Sequence, residues 1–277
     1  MKVSLVDLKN EYAVAGGTLE CILATDPWDC KSTTWKRPAM IVVPGGGYGM
    51  VSKREAEPIA HAYLARGFQV FILTYTVGGE NGMSYPEQLI ELGCAVDYVK
   101  KHAGEMNVNA NEVFAVGFSA GGHLVGNLAV EWQNVSEKAG FALDCKPAGV
   151  VLCYPVISKI NGHQGSYANL LYGYTEEAKE EMLKTLNLNE AVTKDTPPTF
   201  LWATATDNAV PADNAIRFAQ ACATQGVPYE LHIYPRGLHG LATCDAEINA
   251  VGIELIRSRK WLDDCSGFFH MYTKETF

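Results

Sequence analysis

Six apolar, largely β-branched runs recur along the chain: AMIVVP (39–44), FQVFILTYT (68–76), EVFAVGF (112–118), AGVVLCYP (148–155), TFLWATATD (199–207) and YELHIYP (229–235). Most are nearly continuous rather than alternating, which is the pattern of strands covered on both faces. The segments between them carry helical period. YPEQLIELGCAVDYVKKHAGEM places Leu89, Leu92, Val96 and Val99 at three- and four-residue steps, and SAGGHLVGNLAVEW and PADNAIRFAQACATQG follow the third and fifth runs. Strand followed by helix, repeated, predicts an α/β fold: a mostly parallel, twisted sheet with helices on both faces. Two further apolar stretches near the N-terminus, VSLVDL and TLECILA, fit an antiparallel edge and bring the expected sheet to about eight strands.

Three helix boundaries can be read from local chemistry. SKREAEPIAHAYLARG opens with Ser52 and Glu55 at capping-box spacing and closes on Gly67, with Pro58 marking a break or a late start. DAEINAVGIELIRSRKWLDD (245–264) reads as the closing helix. Residues 156–198 break the strand-helix rhythm, contain one short charged helix, and are expected to form a small cap over the carboxyl edge of the sheet. No linker divides the chain, so residues 1–277 are read as one domain. The tail 266–277 holds two adjacent phenylalanines and is expected to pack on the domain or on a partner; a homo-oligomer is compatible with this.

Composition narrows the function. A formal net charge of −9, with only 22 Lys and Arg spread along the chain, argues against nucleic acid or an anionic membrane surface as partner. The N-terminus MKVSLVDLKNEYAV lacks a secretory pattern, and no stretch approaches the roughly 18 apolar residues of a membrane helix. The eight cysteines show no CxxC and no tight spacing, which fits buried thiols and a cytoplasmic location.

Two glycine clusters follow strands. PGGGYGMVSK (44–53) satisfies neither the P-loop nor the dinucleotide-binding template. GFSAGG (117–122) contains GxSxG between a strand and a helix, the setting in which small neighbours allow a tight turn to lift a serine above the sheet. A serine nucleophile needs a base, and the base needs an orienting acid. In the order serine, acid, histidine, Asp207 ends the fifth run and His239 follows the sixth in RGLHG. Asp213 falls on the following helix as an ordinary solvated carboxylate. His232 lies inside a strand, and His123 packs along the helix after Ser119; His61, His102, His163 and His270 have no motif context. Oxyanion donors would come from the amide of Ala120 and from the PGGG loop.

PGGGY, GFSAGGH, ATATDNAVP and RGLHG, in this order, resemble the α/β-hydrolase superfamily, in particular acetyl esterases and acetylxylan esterases related to hormone-sensitive-lipase-type carboxylesterases. The resemblance spans about residues 38–265. It implies Ser119 as nucleophile, His239 as general base and acid, Asp207 as its orienter, and Gly46, Gly47 and Ala120 as oxyanion donors, with no metal or cofactor. Related esterases carry histidine, which orients the oxyanion loop, where this chain has Pro44. Short acyl esters, acetyl groups on small molecules or oligosaccharides, are the implied substrates. Tyr48, Tyr154, Pro155 and Val156 are candidate pocket walls, with core packing the alternative for each. Two other readings stay open: a hydrolase of another bond, such as an arylformamidase or small peptidase, and a catalytically silent binding protein.

Overall fold

Each apolar run becomes a strand in the computed structural model, which describes residues 1–25, 35–80, 82–249 and 257–272. The strands are β1 (Lys2–Asp7), β2 (Thr18–Leu23), β3 (Arg37–Val43), β4 (Gln69–Thr74), β5 (Val108–Phe118), β6 (Gly149–Cys153), β7 (Thr199–Thr204) and β8 (Tyr229–Tyr234). They form one eight-stranded sheet in the order β1-β2-β4-β3-β5-β6-β7-β8. β1 and β2, and β2 and β4, pair antiparallel; every other neighbouring pair is parallel. The continuous runs are the interior strands: all of β6 and β7 is buried, while the alternating β1 lies exposed at the edge.

The described helices are α1 (Leu8–Tyr12), α2 (Glu57–Leu64), α3 (Glu87–Lys101), α4 (Ala120–Glu131), α5 (Val135–Ala139), α6 (Gln164–Leu170), α7 (Glu176–Thr185), α8 (Leu188–Ala191), α9 (Asp213–Gln225) and α10 (Trp261–His270). On one face α3 packs on α4, α4 on α8 and α8 on α9. On the other face Tyr63 of α2 meets Trp261 of α10, with ring centroids 6.4 Å apart. None of the described helices is long and apolar enough to cross a membrane.

The direction of winding positions the site. The chain runs from β3 outward to β4, then returns past β3 to β5, so the sheet order reverses between β3 and β5. The loops leaving these two strands diverge to opposite faces and open a crevice at their carboxyl ends. Val43 pairs with Gly117 at the ends of β3 and β5, which brings the PGGG loop and the GxSxG turn together.

Three expectations change, and one open alternative is settled. The Ser52–Glu55 capping box does not form: Ser52 makes no side-chain cap, Lys53–Glu55 is a single 3-10 turn, and Glu55 turns into the core. Pro58 sits in the first turn of α2 and marks a late start. The cap contains three helices, α6 to α8, not one; the charged helix is α7. Of the expected closing helix, 245–249 forms turns, 250–256 lies outside the described residues, Ser258–Lys260 is a 3-10 turn, and α10 covers Trp261–His270. α10 also extends into the tail, where Phe269 stacks on Phe114 at 4.3 Å and Phe268 meets Phe200 at 6.1 Å. The tail through His270 therefore packs on the domain itself. The seven described cysteines are buried and unpaired with one another, and Cys30 lies outside the described residues.

Candidate active site

Ser119 stands between the last residue of β5 and the first of α4 with φ 54° and ψ −116°, a backbone conformation that costs about 1–3 kcal/mol and persists only where neighbours hold it. Its amide donates to the Cys153 carbonyl at 3.0 Å, and its own carbonyl accepts from Val156 at 3.1 Å and His123 at 3.0 Å. The two flanking glycines are required by close approach. A Cβ on Gly117 would lie 2.2 Å from the Gly121 carbonyl oxygen, and one on Gly121 would lie 2.2 Å from that of Val43 and 2.4 Å from that of Pro44.

The structure brings Ser119, His239 and Asp207 into one hydrogen-bonded chain. His239 Nε2 is 2.8 Å from Ser119 Oγ, and His239 Nδ1 is 2.6 Å from Asp207 Oδ2. Asp207 is 5% exposed, so it acts on the imidazole with little competition from water. Its other oxygen, Oδ1, accepts from the amides of Ala209 at 2.9 Å and Val210 at 3.0 Å. These bonds follow from the turn after β7: a carboxylate that caps the amides two and three residues ahead holds its own orientation. The imidazole is packed edge-on against the Tyr154 ring, with centroids 5.1 Å apart.

The PGGG loop curls beside this chain. Gly46 and Gly47 take φ of 122° and 62°, and the amides of Gly49 and Met50 both donate to the Gly46 carbonyl. Pro44 has no N–H to give and offers a carbonyl, which accepts from Tyr75 Oη at 2.9 Å. The amide of Gly45 is committed to Glu55 Oε2 at 2.9 Å, which narrows the donors among the three glycines to Gly46 and Gly47. Ala120 is fully buried as the first residue of α4, where helix amides and the helix dipole both favour negative charge. The cap reaches down through Asn169, whose side-chain amide donates to the Gly47 carbonyl at 2.9 Å.

A cavity of about 340 Å³ opens over these groups, lined by Gly46 and Gly47, Ser119, His239 and Gly240, with Met50, Ser52, Arg54, Glu55, His163, Ala209 and Val210 around them. The expected walls are elsewhere. Tyr48, Tyr154 and Val156 are at most 2% exposed, Pro155 is also buried, and none of the four lines the cavity. Their apolar bulk is used in the core, and the two tyrosines act as hydrogen-bonding struts: Tyr48 Oη meets His123 Nδ1 at 2.8 Å, and Tyr154 Oη donates to Glu55 Oε1 at 2.8 Å. Arg54, Glu55 and His163 are the residues that sequence reasoning misses. His163 carries no motif, and the spacing of Glu55 from Ser52 points to a helix cap instead.

The competing groups lie apart. His123 is fully buried, and burial lowers its pKa to about 4, so it is neutral near pH 7. His232 pairs with Glu230 on β8. Asp213 binds Arg217 and Asn161 at the start of α9, and both contacts lower its pKa. Among the described residues, no group of three or more His, Cys, Asp or Glu is placed to hold a metal ion.

The BD-FAE family model matches residues 28–222. The chain is 35% identical over 217 residues to endo-1,4-beta-xylanase B of Butyrivibrio fibrisolvens, covering 76% of this chain and 34% of that one. It is 31% identical over 209 residues to the acetylxylan esterase of Xylanibacter ruminicola, covering 73% and 40% respectively. The chain thus spans only about a third to two fifths of these two relatives' lengths. Among solved structures, the acetyl ester-xyloside bifunctional hydrolase of Caldicellulosiruptor lactoaceticus superposes with a TM-score of 0.80 at 30% identity, covering 97% of this chain and 96% of that one.

Proposed function

We propose, from the premise that this chain belongs to the BD-FAE family of α/β-hydrolases, that it is a serine carboxylesterase removing short acyl groups, acetyl above all, from carbohydrate esters. The observation that carries this reading is the uninterrupted chain from Asp207 through His239 to Ser119 at 2.6 and 2.8 Å, beneath a cavity bordered by Gly46 and Gly47. A relative named acetylxylan esterase and a solved hydrolase named for acetyl esters and xylosides support the acyl and alcohol classes.

The steps follow from this geometry. His239 Nε2 takes the proton of Ser119 Oγ as the oxygen attacks the ester carbonyl. Asp207 accepts from Nδ1–H, which keeps Nε2 free as the base and stabilises the imidazolium that forms. The oxygen of the tetrahedral intermediate is received by the amides of Gly46 or Gly47 and of Ala120, donors whose loss typically costs about 2.7–4 kcal/mol each. As the intermediate collapses and the C–O bond to the sugar breaks, His239 gives its proton to the departing sugar oxygen, which leaves as a free hydroxyl. Water attacks the acyl-serine by the same route in reverse, which releases the acid and restores Ser119.

A kinetic panel tests the reading: acetyl, butyryl and octanoyl esters of p-nitrophenol, acetylated xylo-oligosaccharides and monosaccharides, and an N-formyl aryl amide. Falling kcat/KM with acyl length, together with release of acetate from the saccharides, is expected. Hydrolysis of the amide alone would replace esterase by amidase, and inertness toward the whole panel would favour a binding role.

A further inference from the structure

We propose that the Lys53–Glu55 turn is a clasp that sets the oxyanion loop and the histidine loop relative to each other, with Glu55 as its positioning residue. The inference rests on the esterase reading above.

Glu55 is 3% exposed, yet it touches neither Ser119 Oγ nor the His239 imidazole through any hydrogen bond. Its two oxygens hold two different parts of the site. Oε2 accepts from the amide of Gly45, immediately before Gly46 and Gly47, at 2.9 Å. Oε1 accepts from Tyr154 Oη at 2.8 Å. The same hydroxyl accepts from the amide of Ala242 at 3.0 Å, three residues past His239, and the Tyr154 ring supports the imidazole edge-on at 5.1 Å. Arg54, on the same turn, donates from Nη2 to the carbonyl of Gly240 at 2.6 Å. One three-residue turn therefore holds both the loop that would receive the oxyanion and the loop that carries the base.

The hydrogen-bonding needs of these partners explain why a carboxylate is used there. The Gly45 amide can only donate. The Tyr154 hydroxyl, having accepted from Ala242, has its proton left to give. Two donors converge on one buried side chain, and only a carboxylate presents two acceptors without a donor of its own. Glutamine would turn its NH₂ toward one of them, and alanine would leave both unpaired. Burying a carboxylate costs more than burying an apolar side chain of similar volume, so packing alone does not select glutamate at this position. Placement of the two loops does, because catalysis requires oxyanion donors and base to be fixed together before the transition state forms.

The test uses the whole chain with p-nitrophenyl acetate, comparing wild type with Glu55→Ala, Glu55→Gln, Tyr154→Phe and the Glu55→Ala/Tyr154→Phe double variant. Each protein is also titrated with phenylboronic acid, which forms a tetrahedral adduct on an active serine, and checked by circular dichroism. Glu55→Ala and Tyr154→Phe are expected to lower kcat by about 30- to 100-fold with KM changed less than about threefold, the pattern of interactions made only in the transition state. Boronate affinity should fall in parallel with kcat, Glu55→Gln should recover part of the loss, and the double variant should be little worse than Glu55→Ala alone. If Glu55→Ala does not fold, the comparison of wild type with Glu55→Gln and Tyr154→Phe decides. Folded variants that keep kcat within about threefold, a loss confined to KM, or losses that multiply in the double variant would overturn the clasp. A wild-type protein inert to the ester would instead overturn the esterase reading, whatever the variants do.

Discussion

Replacing Asp207 by asparagine exchanges one oxygen for an amide nitrogen at a position whose orientation is already decided. Oδ1 accepts from the amides of Ala209 and Val210 at 2.9 and 3.0 Å. An NH₂ turned to that side would confront two donors, and each buried group left unpaired costs about 1–3 kcal/mol. The amide oxygen of the variant therefore takes the place of Oδ1, and its NH₂ faces His239 Nδ1 across the present 2.6 Å contact. A donor there makes Nδ1 the acceptor and moves the ring proton to Nε2, where it points at Ser119 Oγ, 2.8 Å away. In that tautomer the imidazole cannot take the serine proton. The expected loss is about 10⁴-fold in kcat, close to 5 kcal/mol of barrier, on the scale known for this change in serine proteases. Steady-state hydrolysis of p-nitrophenyl acetate near pH 7.5 reads the loss, and unchanged circular dichroism shows that the fold is retained. A folded Asp207→Asn protein with kcat within about tenfold of wild type would refute the tautomer argument.

Two further predictions concern stability. Gly121→Ala would push a Cβ to 2.2 Å from the Val43 carbonyl oxygen and 2.4 Å from that of Pro44; both are backbone, so about 3 kcal/mol or more of stability should be lost, and a denaturation midpoint equal to that of wild type would show that the turn is looser than described. His123 is held neutral by burial, its pKa lowered from 6.5 to about 4. The unfolded chain therefore binds more protons below pH 6.5, and this contribution is present above 6.5 and lost as the pH falls through about 4. The loss should reach roughly 3 kcal/mol, up to about 1.4 kcal/mol per pH unit. Urea titrations of wild type and His123→Gln between pH 7 and 4 should diverge, with the variant less acid-sensitive, and parallel curves would remove His123 from the acid limb.

Much of the architecture is legible in the sequence because its signals are local. Continuous apolar runs identify the buried strands, and GFSAGG needs only its own glycines to mark the turn at Ser119. Asp207 and His239 can be picked out because each ends or follows a strand, and parallel strands deliver such positions to one edge. Glu55 misleads for the opposite reason. Ser52 and Glu55 have capping-box spacing, but the donors that decide where Glu55 points come from Gly45 and from Tyr154, which is 99 residues away. Tyr48 and Tyr154 resemble pocket walls because aromatics beside a serine loop suit either role. Their burial depends on which elements close over them, and no window of sequence contains that information. The cap shows the same limit: α6 and α8 are short and polar or Gly-containing, and the contacts that hold them include Asn169 on the Gly47 carbonyl and the Leu188 amide on the Ile157 carbonyl.

The proposed acyl-enzyme cycle has Ser119 as its nucleophile. Titration with a fluorophosphonate, followed by intact mass and peptide mapping, tests it most directly. One adduct per chain, located on Ser119 and forming in step with loss of esterase activity, is expected, as is no adduct on Ser119→Ala. Labelling that persists in Ser119→Ala, or ester hydrolysis that continues in fully labelled protein, would contradict that claim.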